Sequence, residues 1–391
     1  MTRAADTGAL AGITVIELEG IGPAPMAGML LADLGATVLR IQRREPVAQG
    51  IPREPRYNLL LRNRSAIELD LKQPAAAGLV LDLVENADVL IEGFRPGVME
   101  RLGLGPGDCH ARNPRLVYGR VTGWGQEGPL AQAAGHDINY LAITGALDAI
   151  GRQGQPPTPP LALLGDFAGG GLYLALGILA ALIERGRSGL GQVVDAAMVD
   201  GVASLSTAFF GLSAAGAWQP ERGTNLIDSG APFYDVYCCR DGRYVSVGPL
   251  ERKFFQQLLS LLELPAALID LQADRRHWPE LRDHLARAFA RNTRDEWSAM
   301  LEGTDACFAP VLSMQEAPCH PHLRARGTFI EVDGVTQPAP APRLSRSVAP
   351  DVRAIASPLR GRDALAALGR WLSPAKLELA EASGLFNIRT A

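Results

Sequence analysis

The chain has 391 residues, 47% hydrophobic and 20% charged, ordinary for a folded globular protein and long enough for two domains. A formal net charge of −4 excludes a strongly basic surface for nucleic acid or anionic membrane. The five cysteines, Cys109, Cys238, Cys239, Cys307 and Cys319, are odd in number and irregularly spaced, which excludes a disulfide framework and fits a reducing, cytoplasmic compartment.

The first ten residues hold no apolar core and read as no secretory signal. Gly12 to Leu18 has the apolar pattern of a buried strand. Gly20-Ile21-Gly22-Pro23-Ala24-Pro25 then turns into a helix through Leu34 that stops at Gly35, and Thr37 to Ile41 forms the next strand. This βαβ unit implies a parallel sheet and an α/β fold. Gly20 and Gly22 begin a dinucleotide-type glycine pattern, but Pro25 stands at its third position and Arg40 ends the second strand where an acidic residue should hold a ribose. A nicotinamide cofactor is therefore not expected. Arg40, with Arg43 and Arg44, suits a nucleotide phosphate or is a solvated strand end.

A short strand over Ile67 to Lys72 follows, then a helix from Pro74 to Val84 and a buried strand over Asp88 to Glu92. Gly93-Phe94-Arg95-Pro96-Gly97 leaves that strand's carboxyl end, where open α/β sheets place ligands, and Arg101 sits on the next short helix. Leu116 to Thr122 is a further strand. Phe167 to Ile183 is the most apolar run; its four glycines and its charged ends favour a buried core helix over a membrane span. Gln192 to Asp195 reads as strand and Ala196 to Ala215 as one apolar helix. From about Asn225 the composition changes: Tyr234 to Cys239 and Arg243 to Val247, joined through Asp241-Gly242, form a hairpin. Amphipathic helices follow over Phe254–Leu262, Trp278–Ala290 and Thr293–Leu301, so this is a separate α+β domain. Cys319-His320-Pro321-His322 reads as a proline-rich surface turn, and no metal site is expected. The C-terminal Arg389-Thr390-Ala391 is no peroxisomal address. The expected layout is a large domain over 1–196, a linker helix over 197–228, a small domain over 229–328 and a return to the large domain over 329–391.

One stretch carries chemistry. Gly135-His136-Asp137-Ile138-Asn139-Tyr140 and Gly165-Asp166-Phe167 are separated by a loop containing Pro156-Pro157-Thr158-Pro159-Pro160, too proline-rich for helix or central strand. A loop of that length can bring an imidazole and a carboxylate to opposite sides of one cavity, as stepwise proton transfer needs. The residues alone leave the plainer alternatives open: a satisfied polar histidine and an aspartate that only caps a helix.

At Gly135 to Tyr140 the sequence resembles the family III, formyl-CoA transferase-like CoA-transferases, and within them the branch of α-methylacyl-CoA racemases. Supporting stretches are Val15 to Leu18, Leu30 to Ala36, Ile91 to Gly97, Arg101 to Gly105 and Gly189 to Gly201, in the family's order. The resemblance implies a Rossmann-like large domain built from both chain ends with a small domain inserted. It also implies an interlocked homodimer whose active site lies between one subunit's large domain and the other's small domain. Asp166 matches the family's nucleophilic or acid/base aspartate, His136 the second acid/base group of racemases, and Glu251 a glutamate that orients that histidine, although Glu251 also reads as a solvated loop residue. CoA contacts carry over to Arg40, Leu69, Asp70, Leu71, Lys72, Gly93, Phe94, Arg95, Arg101, Gly135, Asp137, Ile138, Asn139 and Tyr140, with Asp137 read equally as structural. The implied reaction is inversion at C2 of a 2-methyl-branched acyl-CoA, with CoA as part of the substrate and no separate cofactor. The alternative is CoA transfer between carboxylic acids with Asp166 as nucleophile, and a non-catalytic acyl-CoA carrier is a third reading. His136 separates the first two, because transferases usually carry another residue there.

Overall fold

Six parallel strands form the centre of the larger unit. In the computed structural model, which describes residues 7–44 and 51–386, they are β1 (Thr14–Leu18), β2 (Thr37–Gln42), β3 (Ser65–Glu68), β4 (Val89–Glu92), β5 (Val117–Thr122) and β6 (Val193–Ala197). Their order is β3-β2-β1-β4-β5-β6, so the winding direction reverses between β1 and β4. Crevices for ligands open at the carboxyl ends of strands beside such a reversal. The signal-sequence reading for the first six residues and the reading of Arg389-Thr390-Ala391 lie outside the described residues.

Strands covered on both faces lose the polar alternation of half-exposed ones. In β1, Val15 packs with α1 (Pro23–Asp33) and α6 (Tyr173–Ser188), while Ile16 and Leu18 pack on the opposite face with α2 (Pro74–Val84). α3 (Val98–Arg101), α4 (Pro106–Arg112) and α5 (Asp137–Ile143) complete this part of the chain. Each fully buried Leu, Ile or Val contributes about 1.5–3 kcal/mol relative to exposure. The helices Gly361–Leu368 and Pro374–Ala382 add Leu368 and Ala380 to the second face, and Leu359 makes a parallel bridge to Ile67.

Several elements differ from their sequence reading. The strand expected to reach Lys72 ends at Glu68; Leu69 still donates its N–H to the Gln42 carbonyl at 2.9 Å before the chain turns. The helix expected over 196–215 is broken at Ser206 into α7 (Met198–Leu205) and α8 (Thr207–Ala214). The apolar helix after Asp166 is not buried all round. Leu174, Ala175, Ile178 and Ala181 are buried, whereas Leu172, Leu176 and Ile183 are 51, 60 and 72% exposed. Leu161–Ser188 is one helix long and apolar enough to cross a membrane, but Leu174 and Ile178 pack onto Gly119 of β5. That seat accounts for its apolar face within the fold.

The described residues of Met1–Ile143, Leu161–Leu205 and Ala325–Ala391 form this unit, and those of Thr144–Pro160 and Ser206–Arg324 form a second. The proline-rich loop, placed by the sequence reading within 1–196, thus groups with the second unit. That unit has an antiparallel sheet of β7 (Asp235–Cys238), β8 (Tyr244–Val247) and β9 (Phe308–Pro310). Gly242 takes the positive φ of 75° that the hairpin turn requires. α9 (Arg252–Leu261), α10 (Trp278–Phe289) and α11 (Arg294–Leu301) bury Phe255, Leu258, Leu281, Phe289 and Trp297 against Tyr237 and Val245. α11 begins with a capping box, in which Glu296 accepts from the Thr293 N–H at 2.7 Å.

Candidate active site

The strand-end loops gather the site. After β1 the chain turns at Gly22, whose φ of 68° suits glycine, and α1 begins at Pro23. A methyl group at Gly22 would lie 2.9 Å from Asp166 Oδ2, so the Asp166 carboxylate rests on this turn. Asp166 itself does not open the helix as the sequence suggested. It lies inside a π-helical turn, Leu164–Leu172, that precedes α6. N–H groups in such a turn bond carbonyls five residues back. The glycines Gly169, Gly170 and Gly171 therefore spend their N–H groups in the helix rather than offering them to a developing oxyanion.

The glycines have another use here. A side chain at Gly170 would meet Pro23 and Met198 at 2.8 and 2.9 Å, and one at Gly171 would meet Met26 at 2.8 Å. The turn is thus wedged between α1 and α7, which holds Asp166 in place.

His136 immediately precedes α5. Its N–H donates to Asn139 Oδ1 at 3.0 Å and its carbonyl accepts from the Asn139 N–H at 2.8 Å, so Asn139 closes the helix start. Tyr140 donates its hydroxyl to the Gly135 carbonyl and packs edge-on against Trp124, with ring centroids 4.7 Å apart. Gly123 leaves room for the Tyr140 ring. On this base the His136 side chain is exposed, as are Ile138 and Asn139.

Asp137 joins the two segments. Its Oδ1 accepts the Asp166 N–H at 2.7 Å, and it also accepts from the Gly165 N–H. Burial, with Asp137 as a like charge beside it, pushes Asp166 up to about 6, against the attraction of His136. Burial also raises Asp137, and it pushes the Tyr140 hydroxyl up to about 12. An imidazole and a carboxyl raised to about 6 thus share one electrostatic neighbourhood. Such a pair can take a proton at one side of a carbon and return one at the other.

The other residues named from sequence distribute around the same sheet edge. Arg40 is 7% exposed and engaged by Glu17, by Glu19 at 3.4 Å and by Gln42. Leu69 is fully buried and its side chain serves the core; Leu71 is half-buried. Asp70 accepts from the Lys72 N–H at 3.1 Å, which leaves the Lys72 side chain exposed. Gly93 and Arg95 are exposed at the end of β4, Phe94 is half-buried, and the exposed Arg101 lies over Gly97. Glu251 belongs to the second unit, where it precedes α9 and its charge helps raise the Cys307 thiol, after burial.

Sequence reasoning passed over two buried ion arrays. Glu17 pairs with Arg64, whose other nitrogen donates to the Pro25 carbonyl at 2.8 Å and so holds the start of α1. Glu92 pairs with Arg120 at 2.8 Å. The available signal was a charged residue inside each otherwise apolar strand.

The family model of CoA-transferase family III matches residues 10–364. The α-methylacyl-CoA racemase of Mus musculus is 45% identical over 342 residues, covering 87% of each chain. The racemase of the same name from Homo sapiens is 45% identical over 339 residues, 86% of each chain. Among solved structures, a CAIB/BAIF family protein from Brucella suis superposes with a TM-score of 0.78 at 26% identity, covering 95% of this chain and 100% of its own. Coverage of this extent leaves no sizeable part of the chain outside the match, and the protein belongs to CoA-transferase family III.

Proposed function

We propose that the protein inverts C2 of 2-methyl-branched acyl-CoA thioesters, with His136 and Asp166 as the two groups that exchange the α-proton. The observation that carries the reading is the placement of both groups at the carboxyl edge of the sheet, joined through Asp137, with Asp166 protonated up to about pH 6. Similarity to two α-methylacyl-CoA racemases over most of the chain supports it. In one direction His136 takes the α-proton and Asp166 returns one to the opposite face; in the other the roles exchange. The thioester carbonyl acidifies the α-C–H, so neither a metal nor a redox cofactor enters the scheme, and CoA belongs to the substrate.

The loops after β2, β3 and β4 are the proposed CoA seat, with Lys72, Arg95 and Arg101 as its exposed cations. Glu251 is carried as the residue that orients His136, within a homodimer, on the strength of the family resemblance. A cytoplasmic setting agrees with five free cysteines.

Incubation of one epimer of a 2-methylacyl-CoA in D2O should give epimerisation with deuterium at C2. His136→Ala should slow this by roughly 10²- to 10⁴-fold, the usual weight of a general acid–base group. No exchange in the wild type, with acyl transfer to a free carboxylic acid and an adduct on Asp166, would replace the racemase by a transferase.

A further inference from the structure

Segment 93–101 carries two of the proposed CoA-binding cations on a short loop and a single helical turn. Such a piece has little to hold it in shape by itself, and an unfixed loop loses affinity to the entropy of ordering it. One buried guanidinium touches both of its ends. Arg120 of β5 lies opposite Glu92 of β4 in the sheet register and donates from Nε to Glu92 Oε1 at 2.8 Å. The other nitrogens of Arg120 reach Glu100, Nη1 to Oε1 at 2.9 Å and Nη2 to Oε2 at 3.3 Å. Glu92 uses its second oxygen to accept the Phe94 N–H at 2.7 Å, which fixes the first residues of the loop. Glu92 is fully buried and Arg120 is 6% exposed.

A buried ion pair is a poor source of stability, because desolvation offsets most of its attraction. Its geometry explains its presence better. The array ties the residue before the loop to the residue before Arg101, whose guanidinium rests on Gly97 at a φ of 81°. A further link, Gln132 Nε2 to the Pro96 carbonyl at 3.2 Å, couples the loop to the segment that leads to His136.

We propose that Arg120 is a positioning residue for CoA binding: through Glu92 and Glu100 it clamps segment 93–101 so that Arg95 and Arg101 are held ready for the phosphates. This rests on the acyl-CoA reading above. The test compares Arg120→Met with wild type in two assays. One is calorimetric titration with CoA. The other is α-proton exchange on an acyl-CoA and on the N-acetylcysteamine thioester of the same acid, which lacks the nucleotide and phosphates. Arg120→Met should weaken CoA binding by roughly tenfold or more, as expected when charge-assisted contacts lose their geometry. The KM for acyl-CoA should rise by a similar factor while kcat changes by less than about threefold. The ratio of kcat/KM between the two thioesters should fall accordingly.

Equal losses on both thioesters, or unchanged CoA affinity, overturn the clamp. Should Arg120→Met fail to fold, Glu100→Ala on the exposed side decides, with a shift in the same direction of about three- to tenfold. A wild type that binds CoA without exchange overturns the racemase reading alone, and the titration still judges Arg120. A wild type that does not bind CoA overturns both.

Discussion

Asp166 keeps its proton well above the usual aspartate range because burial disfavours the carboxylate and Asp137 adds a neighbouring like charge, which outweigh His136. In the proposed scheme one proton is shared between His136 and Asp166, so the acid limb of the rate profile should report loss of the basic form of the pair. Asp137→Asn removes one of the two raising influences. The acid limb of kcat/KM should then move to lower pH, and an unmoved limb would dismiss Asp137 as a tuning group. Stability carries the same information. A carboxyl whose folded pKa is raised destabilises the fold only when ionised, so its cost is absent below the ordinary value of 3.8 and complete above about 6. Asp166→Asn should raise Tm at pH 8 and leave it unchanged near pH 3.5. After discounting for partial exposure the gain is on the order of 1 kcal/mol, or about 2 °C. Equal effects at both pH values would show that packing, not charge, is responsible. His136 and Asp166 were legible in the sequence as a motif. The bond from Asp137 to the Asp166 N–H was not, because it joins positions 29 residues apart whose contact exists only after folding.

The elements were legible where burial is simple. Strands β1, β2, β4 and β5 are sandwiched between helices and read as apolar runs, and the helix Pro74–Val84 was read to its ends because proline fixes its start. β9 was missed: it has three residues and includes Pro310, which cannot donate to a ladder. The π-helical turn was also missed. Nothing in Gly-Asp-Phe-Ala-Gly-Gly-Gly separates a helix with bonds four residues back from one with bonds five back; the wedge of neighbours decides. Gly201 of α7 is part of that wedge, since a methyl group there would collide with the Gly169 carbonyl. Gly201→Ala should therefore push the turn and Asp166 with it, costing about 2–4 kcal/mol of stability and most of the exchange activity. Gly78→Ala in α2, where a methyl group meets nothing within 4 Å, is the control and should be neutral or slightly stabilising. If the two variants have equal melting temperatures, close packing at Gly201 does not hold the turn.

At the scale of the whole molecule the chain leaves large apolar side chains in water. α8 buries none of its residues, and Phe209, Phe210 and Leu212 are 39, 58 and 38% exposed. In the other unit Leu172, Leu176 and Ile183 are exposed along one helix. Covering an exposed Leu, Ile or Phe returns about 1.5–3 kcal/mol each, so a partner surface seated on either helix would be stabilised by it. The sequence showed these helices as apolar and offered no way to tell which faces the fold would leave open; that depends on where the sheet seats them. In the homodimer that the family resemblance implies, a second copy of the chain would be the covering surface. Sedimentation velocity at micromolar concentration should give a particle of twice the chain mass. Phe210→Asp places a charge on the exposed face of α8, at a position the subunit's own core does not use. It should shift the particle toward the single-chain mass while the circular dichroism of the fold persists. Glu251, which the same resemblance assigns to a site shared between subunits, gives this experiment an enzymatic readout. If that assignment holds, exchange activity in the Phe210→Asp protein should fall with dilution in step with the dimer fraction. A monomeric wild type with full activity at every concentration would remove both the dimer and the shared site.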